Sequence, residues 1–401
     1  MTRGHIDLTL LDEAQRRFFD ALDAVGFFAA AEECVPTRQA HGRITSRPAR
    51  AQRPVPHFRS AAMDGVAVVA DRTASASPET PIRLKERRDF VYVDTGDVVP
   101  SPFDAVIKIE DVRQLEPGLV EIERPIASGK NLRTIGEDVQ KGEVVVPETF
   151  RVTPEAVAAL LNAGVFDIWV KRCLRAMYFP TGSELVSPMI DLQPGQLPES
   201  NSQIVSGYLR QWDCVVDIGP IIPDDRAALK SALSEAVKEC DLVLVGGGTS
   251  MGREDLTGAA ISELGRVLVH GVAYHPGHPV VLGLVREKPA IGLPGYPVAS
   301  WVALHLFVRP LIERYYGLAF DRPPIVEGRL AETIRSAPGA VEFVRVRLEP
   351  EADGWRVIKL RGGASRLSSL IRADGILEVP ADVRELPAGS RVRVRLLKAL
   401  S

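Results

Sequence analysis

Apolar side chains at Leu11, Ala14, Phe18, Leu22 and Val25 recur every three or four positions and predict a helix over residues 11–25. The pattern then breaks in "TSRPARAQRPVPHF", where three prolines and several arginines interrupt it. Between about residues 66 and 125 the short runs "VAVVA", "DFVYVD", "DAVIKI" and "GLVEIE" are separated by Gly, Pro and Asp, and predict strands of a small β-rich module. "VTPEAVAALLNAG" restores a helix, with Thr153 suited to its N-cap, Pro154 to its first turn, Glu155 to its positive end and Gly164 to its stop. A β module between two helical segments reads as an insertion whose flanks pack together.

From about residue 173 strands and helices alternate. "CLRAMYF", "CVVDIGPI", "DLVLVGGG" and "PAIGL" read as strands. "NSQIVSGYLRQW", "DRAALKSALSEAVKEC", "DLTGAAISELG" and the long "PVASWVALHLFVRPLIERYYG" read as helices. Short apolar strands alternating with amphipathic helices predict a doubly wound parallel sheet covered on both faces. After Gly317 the half-exposed alternation of "VEFVRVRLEP", "WRVIKL" and "RVRVRLL" predicts a small C-terminal β domain. The fold class is therefore α/β and β multidomain.

Composition narrows the partners. A formal charge of -3 on 401 residues leaves no electrostatic footprint for nucleic acid or an anionic membrane. No apolar run approaches the roughly 20 residues of a spanning helix, and the acidic start lacks a signal peptide's apolar run. Cys34, Cys173, Cys214 and Cys240 show no paired short spacing, which fits buried thiols in a reducing cytoplasm.

In an open α/β sheet ligands collect beyond the carboxyl ends of the strands. Three strands run into loops rich in Gly and Pro: "PTGSELV", with Thr181, Ser183 and Glu184; "GGGTSMGRED", with Gly246, Gly247, Gly248, Thr249, Ser250 and Asp255; and "LPGYPVAS", with Pro294, Gly295, Tyr296 and Pro297, which leads into a helix N-terminus. A fourth loop, "YHPGHPVVLG", holds His275 and His278 three apart on a proline-stiffened segment. Spacing alone leaves that pair open as a metal site, an anion clamp or a surface turn. Neither a Walker A lysine nor a correctly placed G-x-G-x-x-G is present, which argues against an ordinary NTPase or dinucleotide enzyme.

These motifs together resemble the molybdopterin molybdenumtransferases, the MoeA and gephyrin E-domain family. The likeness runs nearly end to end. It is carried by "AAMDGVAV", "TGDVVP", "NLRTIGEDVQKGE", "PTGSELV", "GGGTSMGREDL", "HPGHP", "GLPGYPVAS", "EFVRVRL" and "ASRLSSL". The resemblance implies an elongated homodimer of four-domain subunits. Their parts fall at 1–27, 43–57 and 140–172 for a split N-terminal domain, 28–42 and 58–139 for an inserted β domain, 173–320 for the molybdopterin-binding domain, and 321–401 for the C-terminal β domain. It implies cleavage of adenylated molybdopterin with Mg²⁺ present, release of AMP and insertion of molybdate or tungstate, in a cleft completed by the partner subunit. It further implies a molybdopterin adenylyltransferase and apo-molybdoenzymes as partners. By the same resemblance Asp64, Thr95, Glu184 and Asp255 face the substrate or its metal, with Asp64, Glu184 and Asp255 as metal ligands. Residues 246–250 and 294–297 shape the pocket, and Arg345 and Ser365 join His275 and His278 as oxyanion contacts.

The chain departs from the family pattern at Ala61, Ser183, His275, His278 and Tyr296, where the family has Ser, Asp, Lys, Lys and Asn. A lysine of ordinary pKa about 10.4 is charged at neutral pH, whereas a histidine at about 6.5 is mostly neutral. The departures leave two readings: a transferase with a softened anion clamp, or a paralogue that binds molybdopterin or its nucleotide without turnover.

Overall fold

The computed structural model describes residues 8–188, 191–249, 255–352 and 354–398. The chain divides into two compact units, residues 32–171 and residues 1–31 with 172–401.

In the first of these the chain enters on strand Glu32–Pro36 and leaves on Asp167–Lys171, which pair antiparallel. Between them lie a three-stranded sheet of Gly65–Val68, Phe90–Val93 and Ala105–Lys108, and a second of Ile82–Lys85, Leu119–Ile122 and Arg113–Glu116. Val66, Val68, Phe90, Ile107 and Val120 form the core that the sequence runs predicted. Helix Pro154–Asn162 starts as expected, its first turn capped by Thr153 Oγ1 accepting from the Ala156 N–H at 3.2 Å.

The other unit opens with α1 (Leu11–Ala24), which buries Ala14, Phe18 and Leu22. Its main sheet contains β1 (Arg175–Pro180), β2 (Val215–Ile218), β3 (Leu242–Gly246), β4 (Gly265–His270), β5 (Val281–Val285) and β6 (Lys288–Leu293), in the order β2-β1-β3-β6-β5-β4. Helices α2 (Asn201–Gln211), α3 (Arg226–Glu239) and α4 (Leu256–Leu264) connect the strands, and α5 (Pro297–Ala303) follows β6. β3 and β6 were legible as apolar runs because all of β3 and all but the first residue of β6 are buried, whereas β4 and β5 are strands that the residue pattern did not mark.

The sheet is mixed rather than parallel. β5 runs antiparallel to both β6 and β4. The β5–β6 hairpin turns on Arg286 and Glu287, both in the left-handed region at φ 48° and 67°. Such turns normally advertise themselves with Asn-Gly or Asp-Gly, and "RE" gives no such signal. The predicted single long helix is also divided: a π-helical segment, Leu304–Val308, joins α5 to α6 (Arg309–Tyr316). Pro310 supplies no N–H to the preceding turn, which favours a widened ladder just before it.

The C-terminal strands β7 (Ile325–Leu330), β8 (Val341–Glu351), β9 (Gly354–Lys359), β10 (Gly375–Val379) and β11 (Arg391–Leu396) close into a barrel, because β8 pairs with both β9 and β10. Val344, Val346, Val357, Leu377 and Val394 fill its interior. The short strand Tyr274–His275 runs parallel to β8, with His275 opposite Glu342, and ties the histidine loop to the barrel.

Candidate active site

Beyond the carboxyl ends of β1, β3 and β6 lies a cavity of about 1140 Å³. Its floor is backbone. Gly247 has φ 102°, and a Cβ there would stand 2.7 Å from the Thr181 carbonyl oxygen, so only glycine fits. A Cβ on Gly246 would meet the Tyr178 hydroxyl at 1.9 Å. The buried Thr181 donates its hydroxyl to the Gly246 carbonyl and Thr257 donates to that of Gly247, each at 3.1 Å. These bonds hold the glycine loop flat against the strand ends. On the far side Asn201 Nδ2 donates to the Gly295 carbonyl at 2.7 Å, fixing the Pro294–Gly295–Tyr296–Pro297 turn. The first turn of α5 is less open than its sequence suggests, since the Val298 N–H donates to the Ala364 carbonyl at 3.0 Å.

The histidine loop and the barrel form the remaining wall. His275 and His278 both line the cavity, their ring centroids 5.5 Å apart and edge to face. Burial, aided by the neighbouring His275, holds the His278 imidazole below its ordinary pKa, so its neutral form is favoured. Arg345, expected as an oxyanion contact on an alternating strand, is 6% exposed. It donates from Nε to Ser369 Oγ at 3.1 Å and from Nη2 to the Gly362 carbonyl, so it anchors loop 361–366, which carries Ser365 into the cavity. Burial also pulls its pKa below the usual arginine value.

Acid groups cluster at the β1 end. Glu184 lines the cavity, whereas Ser183 does not. Ser183 and Asp224 instead exchange two bonds: the Ser183 N–H donates to Asp224 Oδ2 at 2.9 Å, and the Asp224 N–H donates to Ser183 Oγ at 3.0 Å. That clasp joins the loops after β1 and β2 and presents Asp224 to the cavity.

Asp64, Thr95 and Asp255 are not among the residues that line this cavity. Asp255 caps α4, accepting from the Gly258 N–H at 2.9 Å, with His270 Nδ1 3.5 Å from its other oxygen. Ser250 lies outside the described residues. Asp64 and Thr95 belong to the unit of residues 32–171. There the Thr95 N–H and hydroxyl both donate to Asp64 Oδ1, at 2.6 and 2.7 Å, and hold its carboxyl below the usual range. Ala61 in the same unit is fully buried. Among the described residues no three His, Cys, Asp or Glu side chains converge as a metal cluster. Sequence reasoning missed Asp224, Glu199, Asn201, Glu342 and Lys359. The position of "IPDD" just after the β2 strand was the available signal for Asp224; Glu342 opens the motif "EFVRVRL" and Glu199 and Asn201 lie in "GQLPESN", whereas Lys359 stood in no recognisable motif.

An α/β sheet with glycine loops at its strand ends, closed by a β-barrel over a cavity of carboxylates and imidazoles, defines a protein with room for a large polar ligand. Comparison with known proteins narrows the class. Residues 9–164 match the MoeA N-terminal region (domain I and II), 178–314 a probable molybdopterin binding domain, and 327–397 the MoeA C-terminal region (domain IV). A putative molybdopterin biosynthesis protein of Methanocaldococcus jannaschii is 33% identical over 90% of this chain and 91% of its own length. Molybdopterin molybdenumtransferase 2 of Mycobacterium tuberculosis is 31% identical over 90% of this chain and 94% of its own. The crystal structure of a molybdopterin biosynthesis MoeA protein from Pyrococcus horikoshii superposes with a TM-score of 0.82 at 30% identity, covering 98% of this chain and 100% of that one. The chain belongs to the MoeA family. Among the described residues no helix is long and apolar enough to cross a membrane.

Proposed function

We propose that this chain is a cytoplasmic molybdopterin molybdenumtransferase, which takes adenylated molybdopterin, releases AMP and joins molybdate or tungstate to the dithiolene. The observation that carries the reading is the convergence of the loops after β1, β3 and β6, the histidine loop and the barrel loop on one cavity. The glycine backbone at 246–248 lets a flat ring system approach closely. His275 and His278 offer N–H donors to a tetrahedral oxyanion, and Arg345 positions the loop bearing Ser365. Phosphoryl chemistry asks chiefly for positioning and charge neutralisation.

The cavity suits Mg²⁺, which takes one or two carboxylates and completes its shell with phosphate oxygens and water. Glu184 and Asp224 would hold it, and when bound it would offset charge on the cleaved anhydride. Of the metal ligands first expected, Glu184 keeps that role here. Asp64 and Thr95 act on substrate in the proposed homodimer, and Asp255 acts through the cap it gives α4. The four-part division of the chain, an upstream adenylyltransferase and downstream apo-molybdoenzymes belong to the same proposal.

The test is AMP release from adenylated molybdopterin with Mg²⁺, molybdate and tungstate run side by side across acid to neutral pH. Release supports the transferase. Tight binding without release at any pH supports the non-catalytic paralogue, a reading favoured by the Ser183–Asp224 clasp and the neutral His278. The combined variant S183D/H275K/H278K should then regain turnover. Absence of binding by both proteins refutes both readings.

A further inference from the structure

The cavity has a peculiar balance of charge. Among the described residues that line it, Glu184, Glu199, Asp224 and Glu342 carry carboxylates, while Arg345 and Lys359 alone carry a full positive charge at neutral pH. A doubly negative tetrahedral anion cannot settle among four carboxylates unless a cation meets it. Glu199 is occupied at the start of α2, accepting from the Ser202 N–H and hydroxyl at 2.9 and 2.5 Å. Arg345 turns its Nε and Nη2 donors to Ser369, Gly362 and Gly363. The His278 imidazole, held neutral by burial, offers an N–H but brings little charge.

Lys359 remains. It ends β9, half-buried, with Nζ 3.9 Å from Glu342 Oε1. That separation is beyond hydrogen-bond reach, so Glu342 holds the ammonium near without satisfying its donors. Glu342 in turn stands directly opposite His275 across the ladder between Tyr274–His275 and β8. Lys359 and the imidazole pair therefore flank one carboxylate on one wall of the cavity.

Resting on the proposed function, we infer that Lys359 is the cation that binds the molybdate-type oxyanion beside His275 and His278. The imidazoles shape and orient the anion, Lys359 supplies the charge, and Glu342 keeps the ammonium directed toward the histidine loop. The phosphate of the nucleotide shares the oxyanion chemistry but is assigned to the end of the cavity near Glu184 and Asp224. The two sources are thus separable. The bland alternative is a rim lysine whose loose ion pair contributes almost nothing.

The test is isothermal titration of the full chain with molybdate and, separately, with AMP and Mg²⁺, at one pH near 7.5. Loss of a charged hydrogen bond predicts that K359M weakens molybdate binding by about tenfold or more while AMP changes by less than about threefold. K359R should recover most of the loss, and H278K placed in the K359M background should restore binding by returning a cation to the same wall. Unchanged molybdate affinity in K359M overturns the inference, as does an equal loss of both ligands. Should K359M not fold, K359Q is read in its place. A wild-type chain that binds neither ligand refutes the functional reading itself. A wild-type chain that binds both, with K359M unaffected, refutes only the assignment of Lys359.

Discussion

Replacing Arg345 with methionine tests whether that residue organises the barrel side of the site. The guanidinium makes two good bonds, to Ser369 Oγ at 3.1 Å and to the Gly362 carbonyl, and a long one of 3.4 Å to Gly363. A charged donor of this kind is worth about 1.5–3 kcal/mol. Three effects reduce the sum. Gly363 is exposed and Gly362 half-buried, so water reaches the vacated carbonyls. Ser369 keeps its own bond to the Arg366 carbonyl at 2.6 Å. Removing a buried charge also recovers its desolvation cost, the same burial that lowers the Arg345 pKa. The net expectation is a destabilisation of about 2 kcal/mol, concentrated in loop 361–366. Urea unfolding of the full chain measures the first part. Limited tryptic digestion measures the second, because Arg361 and Arg366 are exposed ends of that loop and should be cut faster once it is unpinned. R345K, which keeps the charge and loses the fork, should fall between the two proteins. An R345M chain with the wild-type urea midpoint and the wild-type digestion pattern would refute the reasoning.

Three further outcomes are expected. His305 packs against Trp301, Tyr208 and Trp212, and burial lowers its pKa to about 4, against about 6.5 when unfolded. The stability this neutral ring supports is complete above pH 6.5 and is lost as pH falls toward 4, by about 3 kcal/mol in all; H305Q should flatten that slope in urea titrations at several pH values. His278 is likewise held neutral, so molybdate affinity should rise as pH falls below 6.5, and H278K should remove the dependence while tightening binding at neutral pH; a flat wild-type titration counts against the anion clamp. S183D would set a second carboxylate beside Asp224 in place of the present clasp, so its melting temperature should drop without Mg²⁺ and recover with it by more than the wild-type chain gains.

What the residue pattern can reveal depends on whether a residue acts through periodicity, through a loop motif, or through pairing across distant segments. The buried strands β3 and β6 declared themselves because both faces are covered and their apolar runs are continuous. Thr153 was readable as a helix cap because capping is local, three residues wide. The same locality explains the principal disagreement over Asp255: its cap bond can be foreseen from "DLTG", whereas its absence from the cavity lining cannot. The antiparallel turn at Arg286 and Glu287 was hidden because two ordinary side chains occupy positive φ there, where Gly or Asn would normally mark the place. Arg345 shows the deepest limit. An arginine on an alternating strand looks solvated, and only the return of loop 361–366 over β8 buries it. Lys359, Glu342 and His275 obey the same rule. They are joined by one cross-strand register and one ion pair over more than eighty residues of chain, so no window of sequence contains their relationship. The chemistry of this cavity accordingly resides in contacts between segments, and the motifs mark only the segments that make them.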